Sequence, residues 1–238
     1  MTSYLMQRPR AVRALTALVL LAVPTAAEAQ IGHRPETSPY EDVKLGQTIT
    51  LNGGWLALGR DPAGVAPDAS LFAQIRYDAA VGGPASLYAR YTLAPSQRAL
   101  LAPGAIASKR KTGTTSVMMH VIEGGLDLAL TGQKTWHHLI PSLEGGVGIV
   151  SDFAAADSGA YQFGVKFGIS YGANLRYMRA SGLQLRVGLT NFLWQYAYPD
   201  RYFTKAPDST AILVDTKDRS KWKNNIGLSA GVSYPLFR

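Results

Sequence analysis

Nine charged residues stand inside segments that are otherwise apolar: Arg76, Asp78, Arg90, Glu123, Asp127, Glu144, Lys166, Arg176 and Arg186. Five are positive and four negative, so the set nearly cancels. Charges that cancel suit a shielded interior, where each needs a partner to offset its lost hydration. A second group is basic and clustered: Lys109-Arg110-Lys111, and Lys217, Arg219, Lys221 and Lys223 around Asp218 and Trp222. Lysine and arginine pair well with phosphate oxygens, so these clusters are candidate phosphate contacts, with solvated loops as the plain alternative.

Catalysis and metal binding have less to stand on. Cysteine is absent, which excludes a thiolate zinc site, a cysteine nucleophile and a disulfide framework. The histidines are His33, His120, His137 and His138. His137 and His138 are adjacent and would face opposite ways on a strand, and no carboxylate stands two residues from either. Neither a metal nor a cofactor is expected. His120 could act as a base for a nucleophilic serine, but nothing in the sequence ties a serine or an acid to it, so no catalytic residue is assigned.

The elements that must position the charges alternate with period two. Residues 162–178 are the clearest case. Phe163, Val165, Phe167, Ile169, Tyr171, Leu175 and Tyr177 point one way, with Tyr161 just ahead of them, while Gly164, Lys166, Gly168, Ser170, Asn174 and Arg176 point the other. A helix would need period 3.6 and would not tolerate so many glycines. The same pattern predicts strands near 47–59, 70–80, 85–93, 116–130, 138–150, 183–196 and 224–237. The connections alternate: short at 81–84, 131–137 and 180–182, long at 60–69, 94–115, 151–160 and 197–223. An even number of strands with short turns at one rim and long loops at the other is the pattern of an eight-stranded antiparallel up-and-down transmembrane β-barrel, an all-β fold.

Composition agrees. Charged residues are 17% of the chain, against roughly 25% in a soluble domain, and glycine is 24 of 238 residues. Net charge is +8, of which Arg8, Arg10, Arg13 and Glu28 supply +2. These four lie in residues 1–29, which read as a cleaved secretory signal: a basic start, an apolar run at 14–23, and Ala27-Glu28-Ala29 as the cleavage site. Ten apolar residues cannot cross ~30 Å of hydrocarbon as a helix, so this is not an anchor. Residues 30–45 follow as a periplasmic tail, and 46–238 as the barrel. The apolar face is placed outward, toward lipid. Tyr77, Trp136, Tyr177 and Tyr234 then form one aromatic girdle at the short-turn rim. Trp55, Tyr91, Tyr161, Trp194, Tyr196 and Trp222 form the other at the long-loop rim.

On these features the chain resembles the small eight-stranded outer-membrane barrels of Gram-negative bacteria, of the OmpA, OmpX and OmpW type. The last strand carries their insertion signal as Ser229-x-Gly231-x-x-Tyr234-x-Leu236, although Phe237 is penultimate rather than terminal. The resemblance implies a cell outer-membrane location and contact with membrane lipid and lipopolysaccharide. It also implies insertion by the barrel-assembly machinery, a monomer and no nucleic-acid partner. The basic clusters then become lipopolysaccharide contacts. Four uses of the lumen are open: a sealed core of paired charges, which is favoured; a narrow or gated pore; an apolar-ligand channel lined by Leu56, Phe72, Phe192 and Trp194; or a scaffold for a lipid A-modifying enzyme.

Overall fold

The computed structural model describes residues 38–59, 61–178 and 183–237. The expected signal at 1–29 and residues 30–37 of the expected tail lie outside the described residues. Ten strands occur among them: β1 (Tyr40–Asp42), β2 (Gln47–Ala57), β3 (Ser70–Gly82), β4 (Ala85–Leu101), β5 (Lys111–Ala129), β6 (Lys134–Trp136), β7 (Leu139–Ser151), β8 (Lys166–Met178), β9 (Gln184–Ala197) and β10 (Ser220–Phe237). All but β1 and β6 pair antiparallel in chain order. β10 returns to β2 from Ile226↔Ala57 to Phe237↔Gln47, so the sheet closes as an eight-stranded barrel with no free edge in its wall.

Burial follows the alternation of polarity, in the reverse sense to a water-soluble protein. Along β9, Leu185, Val187 and Leu189 are exposed while Gln184, Arg186 and Thr190 are buried. Leu71 is 67% and Leu51 64% exposed, whereas Arg76 is 1%. The outward band of Leu, Ile and Val is a surface suited to hydrocarbon. Tyr77, Trp136, Tyr177 and Tyr234 edge it at one rim, and Trp55, Tyr91 and Trp222 at the other.

Three aromatics expected in the second girdle are inside instead: Tyr161 at 1%, Trp194 at 0% and Tyr196 at 0% exposure. Trp194 and Tyr196 share parity with buried Arg186, so their strand carries them inward. Tyr161 is displaced for a different reason. β8 begins only at Lys166, and Gly164 at φ +66° turns the chain ahead of it, so Tyr161 and Phe163 fold over the lumen.

The long loop expected at 94–115 is mostly strand. β4 and β5 continue as a hairpin to Leu101↔Lys111 after β3 has parted from β4 at Ala73↔Leu93. Pro95 lies two residues past that last β3 partner, where one flank of β4 has no ladder to lose. At the opposite rim, β1, within the expected tail, pairs with β6, within the expected turn, from Tyr40↔Trp136 to Asp42↔Lys134. Lys134 and His138 reach Asp42 and Glu41 at 3.5 and 3.1 Å.

Leu189 lies at mid-strand and is 54% exposed. Leu189→Arg is expected to lower the stability of the barrel in phospholipid vesicles by about 2–4 kcal/mol, read from the urea midpoint. An unchanged midpoint would mean that this face meets water.

Candidate functional site

The lumen has two tiers. The lower one, toward the short-turn rim, holds Arg76, Arg90, Arg176 and Arg186 with Asp78, Glu123, Asp127 and Glu144, none more than 6% exposed. Four cations meet four acids, so the tier is neutral. Arg76 donates from Nε to Asp78 (2.9 Å) and from Nη2 to Asp127 (2.9 Å), and Nη1 meets Glu144. Arg186 reaches Asp78 at 3.1 Å and Asp127 at 2.7 Å. Arg90 joins Glu123 (3.0 Å from Nε) to Glu144 (2.8 Å). Arg176 is the outlying member, 4.0 Å from Asp127. Asn174 and Thr190 each donate to Glu144 at 2.8 Å, and Ser170 and Tyr88 donate to Glu123 at 2.9 and 3.0 Å. The carboxylates thus keep the several donors that a buried charge needs.

Tyr88 stands at the centre of this tier, with the Arg76 guanidinium 3.9 Å from its ring centroid and that of Arg90 at 5.3 Å. It gets there across two glycines. A Cβ on Gly146 would come within 2.4 Å of the Tyr88 hydroxyl, and one on Gly125 within 2.8 Å of Cζ. Those mid-strand glycines leave room for a phenol that lies across the inner face of β5 and β7.

Lys166, expected in the network, is apart from it. It opens β8 opposite Val150, six residues from Gly172, the partner of Glu144. That is roughly 20 Å along the strand, so Lys166 is half-buried at the long-loop mouth and has no ion pair among the described residues.

The upper tier is apolar. Leu56, Phe72, Phe192 and Trp194 are buried there with Met119, Val121, Val150 and Tyr196. The long loops close over them with Val65, Tyr161, Phe163, Tyr198, Tyr202 and Leu213. Tyr161, Tyr198 and Tyr202 stack on one another at 6.1–6.3 Å between centroids. Burial pushes all three hydroxyls well above the usual tyrosine range, and Tyr198 is pushed further by its hydrogen bond to Asp61. Two acids that the sequence reading missed organise this cap. Asp61 accepts from the backbone N–H groups of Ala63, Val65 and Ala66 and from Tyr198. Asp157 accepts from the N–H groups of Gly159 and Tyr161, both at 2.9 Å, and from Arg98 at 2.6 Å. Their signal was present as turn sequences, Asp61-Pro-Ala-Gly and Asp157-Ser-Gly.

The remaining candidates are dispersed. Lys109 is exposed, and Arg110 donates to the Thr210 hydroxyl (2.7 Å) and the Ala211 carbonyl (3.3 Å), tying two loops together. Lys111 opens β5. Lys217 and Arg219 lie on a 3-10 turn, where Arg219 pairs with Asp200, and Lys221 pairs with Asp218. Lys223 lies within β10. Also on β10, Ser229 and Gly231 turn inward while Tyr234 and Leu236 face out. His120 is on the outer face, with Nδ1 2.7 Å from the Tyr91 hydroxyl and its ring against Phe153. His137 and His138 sit in the β6–β7 turn at φ +49° and +66°, and His33 lies outside the described residues. Among the described residues no group of three His, Asp or Glu could hold a metal.

No family model matches the chain, and no curated protein is similar to it in sequence. Solved structures are similar in fold. The Neisserial surface protein A structure superposes with a TM-score of 0.51 at 14% identity, covering 81% of this chain and 98% of that one. The outer membrane protein OprG from Pseudomonas aeruginosa gives 0.48 at 12%, covering 81% and 97%. A major outer membrane protein from Thermus thermophilus gives 0.42 at 12%, covering 80% and 99%. At such identities the likeness to the Neisserial protein is one of fold.

Removing one partner of a buried pair leaves the other uncompensated, at roughly 3–5 kcal/mol, whereas exposed pairs are worth about 0–1 kcal/mol. Arg186→Ala is therefore expected to lower the urea midpoint clearly and Lys221→Ala hardly at all. Equal midpoints would mean that Arg186 is solvated.

Proposed function

We propose that this chain is an outer-membrane protein, exported by a cleaved signal and inserted by the barrel-assembly machinery. In this reading its lumen is closed to solutes. It is a monomeric, non-enzymatic barrel whose long loops face the exterior and contact lipopolysaccharide. The observation that carries the reading is the neutral network of four arginines and four acids, each almost wholly buried. An open aqueous channel would solvate such groups. An eight-stranded barrel is just wide enough for side chains to fill, which favours a packed core over a pore. The outward apolar band supports the membrane location, and exposed Lys109, Lys111 and Lys217 support contact with anionic headgroups.

The apolar upper tier favours a second reading, a route for apolar molecules that opens when the loops lift. The closed state there is packed by Tyr161, Phe163 and Tyr202, so the cap must move before anything passes.

In planar bilayers the refolded protein is expected to show no steady conductance, while Arg186→Ala, which breaks the network, should show intermittent openings. Stable ohmic channels in the unaltered protein would overturn the closed lumen. Cells expressing the protein should carry it in the outer-membrane fraction, and a soluble periplasmic monomer would reject the location. Their lipid A is expected to keep its mass. Gain or loss of an acyl chain would make the protein an enzyme.

A further inference from the structure

The β4–β5 hairpin runs for eight more pairs beyond β3, from Ala94↔Met119 to Leu101↔Lys111, or roughly 25 Å along the strand. Its end does not stand free. Leu101 is buried with Tyr202 and Leu213, and Gly159 lies so close that a Cβ there would be 2.3 Å from the Leu101 carbonyl. Asp208 accepts from the Ala107 N–H at 2.7 Å, with the Thr210 hydroxyl also donating to it. The hairpin tip and the loops after β7 and β9 therefore form one braced platform.

A cavity of about 410 Å³ opens within that platform, lined by Pro103, Gly104, Ser158, Arg201, Thr204 and Lys205 together with Ala102 and Ala105. That volume lies in the ~300–1,000 Å³ range of small-molecule sites. Two of the lining residues are cations, two carry hydroxyls, and none is acidic. The acids around it are engaged elsewhere. Asp157 pairs with Arg98, Asp200 with Arg219, and Asp208 holds the Ala107 and Thr210 donors. Among the described residues neither Arg201 nor Lys205 has an ion pair, although both are within a few residues of acids. Two positive charges without an ion pair, beside the Ser158 hydroxyl and that of Thr204, which otherwise reaches the Asp200 carbonyl at 3.5 Å, make a donor set for a tetrahedral oxyanion. The walls beside them, Ala102, Pro103 and Ala105, are apolar and offer a flank to carbon–hydrogen surface.

We propose that this cavity binds an oxyanion ester of a saccharide, a sugar phosphate or sugar sulfate. A bare phosphate would occupy only a fraction of the volume, while a monosaccharide ester puts its charge against Arg201 and Lys205 and its ring against the apolar wall. The assignment rests on the reading that the long loops face the exterior. The ester has two possible sources, phosphorylated core sugars of lipopolysaccharide in the same membrane or soluble saccharides from outside.

The test uses the full refolded protein in detergent, with glucose 6-phosphate, glucose 6-sulfate and glucose as probes in titration calorimetry. Both esters are expected to bind at low ionic strength and glucose is not. Arg201→Ala/Lys205→Ala should weaken the esters at least tenfold, and Lys134→Ala, at the opposite rim, should leave them unchanged. If the double variant does not refold, Lys205→Gln and Ser158→Ala, each a single surface change, carry the comparison. Binding should also weaken with added salt, since the cations are exposed. Vesicles of lipopolysaccharide with and without core phosphate separate the sources. Binding that depends on both core phosphate and Lys205 assigns the membrane source, and variant-sensitive binding of the soluble esters alone assigns the external one. Esters that bind no better than glucose, or as tightly to the double variant as to the unaltered protein, would overturn the proposal. Calorimetry in detergent is independent of conductance, so a conducting protein that binds the esters would reject the closed lumen and leave the cavity assignment standing.

Discussion

Most of the buried charge in this protein finds its full set of partners only across the lumen, although Arg90 faces Glu123 on the next strand and Arg76 reaches Asp78 on its own. Elsewhere along the wall, like charges stand side by side: Arg76 is registered with Arg90, Arg176 with Arg186, and Asp127 with Glu144. Directly opposed like charges are unfavourable in a sheet. A flat intermediate with these ladders formed would hold cation against cation and acid against acid. Relief comes when Arg76 on β3 meets Glu144 on β7, beyond its neighbours around the wall, and when Arg186 on β9 meets Asp78 on β3. The network is therefore completed only in the closed barrel, and this couples register to closure. A slip of one residue would also turn the arginines toward the apolar surroundings, so the same residues oppose two errors at once.

The two tiers divide the work of filling a narrow cylinder. Ion pairs fill the lower part, where glycines at 125 and 146 leave room for the Tyr88 ring over the inner face of the wall. Above them large apolar side chains take over, and the wall alone does not supply enough of them. The loops contribute the remainder, shaped by short acids that hold backbone N–H groups, as Asp61 and Asp157 do. Polar turn chemistry thus places aromatic rings, and the rings shield the buried charges from the long-loop mouth.

The barrel was legible because alternation writes the facing of a strand directly into the sequence. Arg186 and Leu185 had to face opposite ways, and the structure places them so. The partner of each charge was not legible, since parity gives the side of the wall and not the position around it. Lys166 shares parity with Arg176 yet sits too high to join the acids. Tyr161 was misplaced because parity carries no information past Gly164, where the strand has not begun. The hairpin extension was hidden by Pro95, which reads as a break unless one knows that β3 has already ended. Arg201 and Lys205 gave no signal, because a cavity formed by three loops leaves no spacing to recognise.

The short pairing of β1 with β6 has a mechanical meaning. β6 adjoins β7, and in the ring of eight strands β7 stands opposite β2, the strand that β1 leads into. The chain therefore passes from one wall to the other between Asp42 and Gln47, held by the Val43 N–H on the Gln133 carbonyl and by the Ala80 N–H on that of Gly46. Eight strands ~4.8 Å apart and tilted ~40° enclose a cylinder about 16 Å across the backbone. The segment, pinned to Gln133 at one end and to Ala80 at the other, acts as a tie across that opening. A thin tube fails by flattening into an oval, and a rod across one opening resists the outward bulge of the two walls it joins.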